Sequence, residues 1–341
     1  MPLSKNNRKM LWGSAIVVVL VFVASLFVAF LMPFTGGDER YVCIDRDDNI
    51  DSVCTKLQDV GASGTWLFRI MAGAGGYAGK VQAGRYQVGE GQSMFGVFRR
   101  LRGRIQAPVK FVVPMVNTTE HLAARLGKLL LTDSAEWAAA FRDSALLAEY
   151  DADTATLPAL FIPNTFEIYW TIEPKTLLGK MKKNADAYWT EERRAKAQKA
   201  GLTPVEVVTL ASIVEKETAK TKEKPRIAGM YLNRLHKDMN LSADPTVKFA
   251  LRNFGLRRIL YEHLKVESPY NTYKHKGLPP GPICIPSIES IEAVLDFENN
   301  DYLFMCAKED FSGYHNFAAS AAEHMANARR YSQAQDARNI K

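Results

Sequence analysis

The chain has 341 residues and a formal net charge of +7. Three of the positive charges, on Lys5, Arg8 and Lys9, precede a long apolar stretch, which leaves +4 for the remainder of the chain. A balance this modest suits anionic wall polymers or lipid surfaces and gives no reason to expect a nucleic-acid partner. The length after the apolar stretch is enough for two domains that each bury a core.

The apolar stretch predicts a membrane-spanning helix over residues 11–33. It is uncharged from Leu11 to Pro33, about the length that a helix needs to cross the hydrocarbon core. The basic flank, residues 1–10, is expected to stay in the cytoplasm, with the bulk of the protein outside the cytoplasmic membrane. A cleaved signal peptide is the alternative, with small residues at Val23-Ala24-Ser25. Against it, the apolar run continues to Phe34, which is longer than a usual signal core.

Residues 34–106 predict a small module of strand, two helices and strand. Strands are expected at 41–44 and 84–88, with helices at 49–57 and after Ser63, and a further helix from Ser93. The glycine-rich stretch at 71–80 is expected to be a turn or loop, and it lacks the setting of a phosphate loop. A βααβ unit of this size suggests a sugar-binding module of the LysM type. A plain spacer domain is the alternative.

Residues 107–341 predict a larger mixed domain, so the fold class is α+β. A strand is expected at 109–113, followed by helices that Asn117 and Asp133 open. The aromatic run at 161–170 is expected to be extended or buried. A basic helix or helix pair follows at 176–200, and another helix at about 225–236.

The segment from Thr203 to Lys220 carries the strongest helix-start signal in the chain. Thr203 is a suitable N-cap, Pro204 suits the first helical position, and Glu206 completes a capping box. At about 100° per residue, apolar side chains fill an arc of roughly 160°. Glu217 falls inside that arc, whereas Glu215 falls outside it near the polar edge.

A glutamate on an apolar helix face has two interpretations. Loss of hydration raises the pKa of a carboxyl group, so Glu217 would hold a proton near neutral pH, as a general acid must. Alternatively, Glu217 is a residue at the edge of the core that pairs with Arg226 or Arg234, since structural ion pairs also perturb pKa values.

Several polar segments follow this helix. Asn233 lies in a predicted helix, and Asp244 either contributes to a site or caps a helix that Pro245 starts. The stretch at 268–287 is rich in proline and glycine, which argues against helix and central strand. A rigid loop of this kind describes either the wall of a carbohydrate cleft or an ordinary surface loop. The polar and aromatic candidates from these segments and the end of the chain are Asn233, Asp244, Tyr270, Asn271, Thr272, Tyr273, His315 and Asn316.

All four cysteines, Cys43, Cys54, Cys284 and Cys306, follow the apolar stretch. Disulfides persist outside the cytoplasm, and Cys43–Cys54 with Cys284–Cys306 is the most local of the three pairings. Free thiols that fill small spaces in the core are an equal alternative. No cysteine or histidine spacing resembles a zinc site.

Taken together, the motifs resemble those of the endolytic murein transglycosylases of the MltG (YceG-like) family. The matching segments cover most of the chain after the apolar stretch and comprise Leu210–Thr218, Asn233–Leu235, Asp244–Thr246, Tyr270–Ile283 and His315–Phe317. The chain departs from the family at Ser242-Ala243, where a glutamine and a small hydroxyl residue are common, and at 284–287, where many members have Asn-Pro-Gly.

The resemblance implies a bacterial inner-membrane anchor, a LysM-like unit and an α+β catalytic domain, in that order. It implies cleavage of the β-1,4 bond between N-acetylmuramic acid and N-acetylglucosamine without water, giving 1,6-anhydro ends on nascent glycan strands. Glu217 would be the catalytic acid, the candidates named above would bind substrate, and no metal or cofactor is called for. Peptidoglycan strands, the membrane and peptidoglycan synthases are the implied partners.

Two other functions fit the same sequence. A muramidase would use water, with Glu217 as acid and Asp244 as base or nucleophile. A membrane-tethered glycan-binding protein without catalysis would need neither residue for chemistry.

Overall fold

The computed structural model describes residues 5–35, 40–89 and 91–338. The chain divides into two compact units, which we call unit 1 and unit 2. Unit 1 consists of the chain up to Phe111 together with Glu167–Ile172. Unit 2 consists of Val112–Phe166 and the chain from Glu173 onward.

Unit 1 contains a long N-terminal helix, a two-stranded sheet and three short helices. In chain order these are α1 (Lys5–Leu31), β1 (Arg40–Ile44), α2 (Ile50–Asp59), α3 (Thr65–Ala74), β2 (Gly84–Val88) and α4 (Met94–Arg102). β1 and β2 pair antiparallel, with Val42 opposite Tyr86. Alternate side chains of both strands point into one core, which α2, α3 and α4 complete.

The apolar segment Met10–Leu31 of α1 is long and apolar enough to cross a membrane. This agrees with the helix predicted at 11–33, although a signal sequence would share its length and composition. Just before α1 ends, the Phe30 ring stacks on Phe95 of α4, with 4.3 Å between ring centroids. Phe34 then packs on Phe68 of α3 at 5.7 Å. The end of the apolar helix is therefore part of the core of unit 1.

The local start and stop signals of unit 1 are only partly as predicted. Asn49 caps α2 and Ser93 caps α4, each through its side chain. Ser63 does not cap α3, because Gly64 occupies that position in a left-handed conformation. α3 also continues through Ala74, so the predicted glycine-rich loop begins later than expected.

Unit 2 is mostly helical and contains one complete strand pair. Its helices are α5 (Thr119–Leu129), α6 (Ser134–Ala140), α7 (Ser144–Ala148), α8 (Pro174–Tyr188), α9 (Glu191–Lys199), α10 (Pro204–Glu217), α11 (Lys224–His236), α12 (Asp244–Ala250), α13 (Ile288–Leu295) and α14 (Ala321–Ala337). Its strands are β5 (Phe304–Ala307) and β6 (His315–Ala318), which pair antiparallel. The remaining strand pair joins β3 (Val109–Val112) to β4 (Thr165–Ile168), and most of its residues belong to unit 1.

The core of unit 2 surrounds α10. The residues of the predicted apolar arc are all buried, and because every residue from Val207 to Val214 is buried, the buried surface of the helix is wider than that arc. Two hydroxyl groups within the buried stretch are satisfied locally, since Thr209 donates to the Val205 carbonyl at 2.8 Å and Ser212 to that of Thr209 at 2.7 Å. Because both hydroxyl groups are hydrogen-bonded, Thr209 and Ser212 can lie in a buried stretch of helix.

Other sequence predictions for unit 2 can now be compared with the structure. The capping box of Thr203 and Glu206 is present, and Asp133 caps α6. α5 is capped by Thr118, one residue after the predicted Asn117. The predicted basic helix pair corresponds to α8 and α9. Residues 268–287 form an irregular loop, as their prolines and glycines indicate.

We expect Gly229 of α11 to be required for the packing of unit 2. A Cβ atom at this position would overlap the carbonyl oxygen of Glu298, which belongs to a neighbouring loop. Gly229→Ala should therefore lower the free energy of unfolding by about 1–3 kcal/mol. Gly179→Ala in α8 is the matched control, because the nearest atom to its Cβ lies 3.7 Å away in Tyr150. This control should gain up to about 1 kcal/mol. Equal effects in chemical denaturation would contradict the packing argument.

Candidate active site

The centre of the candidate site is the carboxyl group of Glu217, the last residue of α10. Its Oε1 atom accepts a hydrogen bond of 2.6 Å from the hydroxyl of Tyr231, one turn before the end of α11. Tyr231 is only 2% exposed, so the hydroxyl is held in a fixed position by the core around it. Glu217 is partly buried and keeps a surface open to the cleft described below.

Burial raises the pKa of Glu217 to about 7. Loss of hydration is the main cause, and the negative charge of Asp244 acts in the same direction. The hydrogen bond from Tyr231 acts in the opposite direction, because it stabilises the ionised carboxylate. The group therefore exchanges a proton near neutral pH.

Glu215, two residues earlier, has the opposite electrostatic setting. Its Oε2 atom accepts hydrogen bonds from Ser287 and Ser290 at 2.5 Å and from Lys224 at 3.0 Å. Although burial opposes ionisation, these donors lower the pKa of Glu215. The side chain is 18% exposed, which agrees with the predicted position near the polar edge. Glu215 is a partly buried anion that joins α10 to α11 and α13.

The structure does not support the alternative in which Glu217 forms an ion pair. Arg226 pairs with Glu298 at 2.9 Å. Arg234 donates to the backbone carbonyls of Leu303 and Leu241, at 2.6 Å each. Within residues 5–35, 40–89 and 91–338, no basic side chain forms an ion pair with Glu217.

Glu217 opens onto a cleft of about 230 Å³. Polar groups from several elements converge on this cleft, as they do in ligand sites. The elements are α10, α11, the start of α12, the loop at 268–287, and strands β5 and β6. The lining residues are Glu217, Met230, Tyr231, Arg234, Ser242, Asp244, Tyr273, Met305, Cys306, Ala307 and His315.

Asp244 enters the cleft and does not cap a helix. It is the first residue of α12, and Ala243 holds the cap position without a side-chain hydrogen bond. Its Oδ1 atom accepts a hydrogen bond of 2.6 Å from the Tyr273 hydroxyl. Burial, together with this bond to a carboxylate, raises the pKa of Tyr273. The predicted capping role of Asp244 is therefore wrong, and the carboxylate is available to a ligand.

His315 lines the opposite side of the cleft and is held by a buried glutamate. Its backbone NH donates to Glu223 Oε1 at 2.8 Å, and its Nδ1 atom lies 2.8 Å from Glu223 Oε2. Glu223 is only 5% exposed. The two contacts with Glu223 fix the orientation of the imidazole ring in the cleft.

Three of the predicted loop residues support the cleft wall without lining it. Asn271 is buried and donates to the carbonyls of Leu264 and Val266, at 2.9 and 2.8 Å. The hydroxyl of buried Thr272 accepts from the backbone NH of Ala243 at 3.0 Å. Tyr270 packs on Phe249 with 4.6 Å between ring centroids. These contacts fix the loop against α12, which places Tyr273 next to Asp244.

The remaining two predicted residues lie outside the cleft lining. The Asn233 amide donates to the carbonyls of Asn300 and Tyr302, at 2.7 and 3.0 Å. The Asn316 amide donates to Glu309 Oε2 at 2.7 Å. Both side chains are engaged in holding neighbouring loops, so substrate binding by Asn233 and Asn316 stays a prediction.

Tyr231, Arg234 and Glu223 belong to the site but were not assigned to it from the sequence. Tyr231 could have been assigned to the site from the sequence, because a tyrosine on a buried helix face must place its hydroxyl beside a polar partner. Arg234 was considered only as an ion-pair partner. Glu223 had no local signal, since its partner His315 lies 92 positions further along the chain.

The cysteine and metal predictions have separate outcomes. All four cysteines are free thiols, so no local disulfide is formed. Cys284 is buried and donates to the Ser212 carbonyl at 3.6 Å, whereas Cys306 lines the cleft. In the part of the chain that the structure describes, no group of three or more acidic, histidine or cysteine side chains could hold a metal.

A carboxyl group of raised pKa in an open polar cleft, on a mixed α+β scaffold, defines a protein with a candidate acid–base site. A model of the YceG-like family matches residues 42–330. The chain belongs to the YceG-like family.

Similar proteins carry one name. The endolytic murein transglycosylase of Streptococcus pneumoniae is 29% identical over 315 residues, which cover 81% of this chain and 56% of the relative. The chain thus spans little more than half the length of that relative. The endolytic murein transglycosylase of Bacillus subtilis is 37% identical over 134 residues, 39% of this chain and 37% of the relative.

A solved structure has a similar fold. The 2.6 Å crystal structure of a YceG-like protein from Listeria monocytogenes aligns with a TM-score of 0.57 and 26% sequence identity. The alignment covers 84% of this chain and 98% of the other.

We expect replacement of Glu217 to stabilise the protein at alkaline pH. When folding raises the pKa of a carboxyl group, the protein loses stability as pH increases through the pKa of the folded state. For Glu217 this pKa is about 7. Glu217→Gln should therefore match the wild type near pH 4 and exceed it by roughly 2–3 kcal/mol near pH 9.

Glu215→Gln is the matched control in denaturation measured across this pH range. The pKa of Glu215 falls on folding, so its ionised form stabilises the protein above pH 4.5, the ordinary value, and this contribution is lost as pH falls further. The variant should be destabilised at neutral pH. A Glu217→Gln variant that is less stable at pH 9 than the wild type would show a structural role for Glu217.

Proposed function

We propose that this chain is a membrane-anchored endolytic lytic transglycosylase of peptidoglycan. It cleaves the β-1,4 bond between N-acetylmuramic acid and N-acetylglucosamine within glycan strands and leaves 1,6-anhydro ends. The observation that carries the proposal is the Glu217 carboxyl, which exchanges a proton near neutral pH at the edge of an open cleft. The relatives named endolytic murein transglycosylase support the same reaction.

One carboxyl group is sufficient for both proton transfers. In the first step, protonated Glu217 donates its proton to the glycosidic oxygen as the bond from C1 to that oxygen breaks. In the second step, the 6-hydroxyl oxygen of the muramic acid bonds to C1, and its proton passes to the Glu217 carboxylate. Water is not consumed and the proton on Glu217 is restored. A pKa near 7 suits a group that must act first as an acid and then as a base.

Tyr231 and Asp244 have supporting roles in this mechanism. The Tyr231 hydroxyl donates to Oε1 of Glu217, so it fixes the carboxyl and stabilises the anion that forms after the first proton transfer. Positive charge develops at C1 as the glycosidic bond breaks. The Asp244 carboxylate, held by Tyr273, is a preorganised negative group in the same cleft that offsets this charge.

The site residues divide into two groups under this proposal. Asp244, Tyr273 and His315 line the cleft and would contact the sugar rings directly. Tyr270, Asn271 and Thr272 act through the loop that they hold in place. Asn233 and Asn316 would bind substrate only through groups left free by their present hydrogen bonds.

The location of the protein follows from α1. Residues 11–33 would anchor the chain in the bacterial inner membrane, with residues 1–10 in the cytoplasm and the cleft outside it. Residues 34–106 would act as a LysM-like module that contacts glycan. An anchored cleft meets strands as they are polymerised, so the enzyme would cut nascent strands, end their elongation and work beside peptidoglycan synthases.

A muramidase is the second candidate, because Asp244 shares the cleft with Glu217. In that reaction the acid is the same, but water attacks C1 with Asp244 as base or nucleophile. The product then carries a reducing muramic acid end. The chemistry of the product end therefore separates the two reactions.

We expect purified full-length protein in detergent to release products with 1,6-anhydro ends from isolated sacculi, as detected by mass spectrometry. Glu217→Gln should lower the rate by about 100-fold or more, because general acid–base catalysis contributes this much. Glu289→Gln, an exposed glutamate in the first turn of α13, is the control and should retain full activity.

The outcomes of this experiment are distinct. Products of the wild type with reducing muramic acid ends would show that the reaction is that of a muramidase and not of a transglycosylase. Unchanged cleavage by Glu217→Gln would remove Glu217 from the mechanism. Absence of cleavage by a folded wild type would favour the glycan-binding protein without catalysis.

A further inference from the structure

Unit 2 contains a second cavity that the proposed mechanism does not use. Its volume is about 150 Å³. Its lining consists of Asn117, Lys216, Pro245, Lys248, Phe254 and Ile283. None of these residues lines the cleft of Glu217, so the two cavities are separate.

The second cavity nevertheless adjoins the cleft along the chain. Lys216 precedes Glu217 at the end of α10, and Pro245 follows Asp244 at the start of α12. The same two segments thus present Glu217 and Asp244 to one cavity and Lys216 and Pro245 to the other.

Two lysines without a carboxylate partner line the second cavity. Neither Lys216 nor Lys248 forms an ion pair within residues 5–35, 40–89 and 91–338. Lys224, by contrast, pairs with Glu215 at 3.0 Å, and Lys196 with Asp296 at 2.9 Å. Two cations at the wall of one cavity make it a place where an anionic group gains charge-assisted hydrogen bonds.

The other residues that line the second cavity combine apolar side chains with one amide. The side chains of Phe254, Ile283 and Pro245 provide an apolar surface, and the Asn117 amide supplies both a donor and an acceptor. The mixture suits a short peptide that carries a carboxylate, an aliphatic part and amide groups. An unsubstituted sugar has no charge to place between the two lysines.

We propose that this cavity binds a carboxylate of the peptide carried by the muramic acid next to the cleaved bond. The inference rests on the proposed function, because it assigns the occupant from the substrate of the neighbouring cleft. It makes Lys216 and Lys248 determinants of specificity, so that glycan bearing peptides is cleaved in preference to glycan from which the peptides have been removed.

The test compares two glycan substrates with the full-length protein in detergent. One is peptide-bearing glycan, and the other is the same glycan after an amidase has removed its peptides. The measured quantity is the ratio of kcat/KM for the two substrates. The double variant Lys216→Gln/Lys248→Gln should lower this ratio about tenfold, which corresponds to about 1.4 kcal/mol. Lys199→Gln, an exposed lysine of α9, is the matched control and should leave the ratio unchanged.

Each result decides between the alternatives. A ratio that the double variant leaves unchanged, whether both rates stay equal or fall together, would overturn the peptide site. The double variant could instead lower the kcat/KM ratio only for glycan that also carries a phosphate-linked wall polymer. That result would assign the cavity to phosphate and overturn the peptide assignment. If the wild type releases no anhydro ends from either glycan, the proposed function itself fails, which is a different outcome from loss of preference.

Discussion

The site depends on one constraint, the partial loss of hydration of a carboxyl group at the end of a buried helix. α10 is enclosed from Val207 to Val214, and its last residue, Glu217, has a tyrosine hydroxyl as its hydrogen-bond partner. A neutral donor leaves the charge of the carboxylate only partly compensated, so the protonated form persists to a pH of about 7. An arginine in place of Tyr231 would lower the pKa and remove the acid.

The two glutamates of α10 show how neighbouring groups determine chemistry. Glu215 has a lysine and two serine hydroxyls beside it, and its pKa is lowered. Glu217 has Tyr231 on one side and Asp244 across the cleft, and its pKa is raised. A buried carboxylate of the first kind joins helices, since it is fully paired. A carboxyl of the second kind costs folding free energy when ionised, which is typical of groups retained for function.

The sequence predicts those parts of the site that depend on local order. The start of α10, the position of Glu217 on a buried helix and the irregular loop at 268–287 follow from caps, periodicity and prolines. Contacts between distant segments could not be predicted from one sequence. The sequence leaves open whether Asp244 caps a helix or belongs to the site, and the hydrogen bond from Tyr273, 29 residues away, could not be read from it. Asn233 resembled a cleft residue, but it is bonded to carbonyls near residue 300.

The most direct test of the account is the titration of Glu217 itself. The carboxyl carbon of this residue can be followed by ¹³C NMR in the selectively labelled protein, with its signal assigned from the Glu217→Gln variant. The account predicts a midpoint near pH 7. A midpoint near pH 4.5, the ordinary value of a glutamate, would contradict it, because the side chain would then be ionised when the acid is needed.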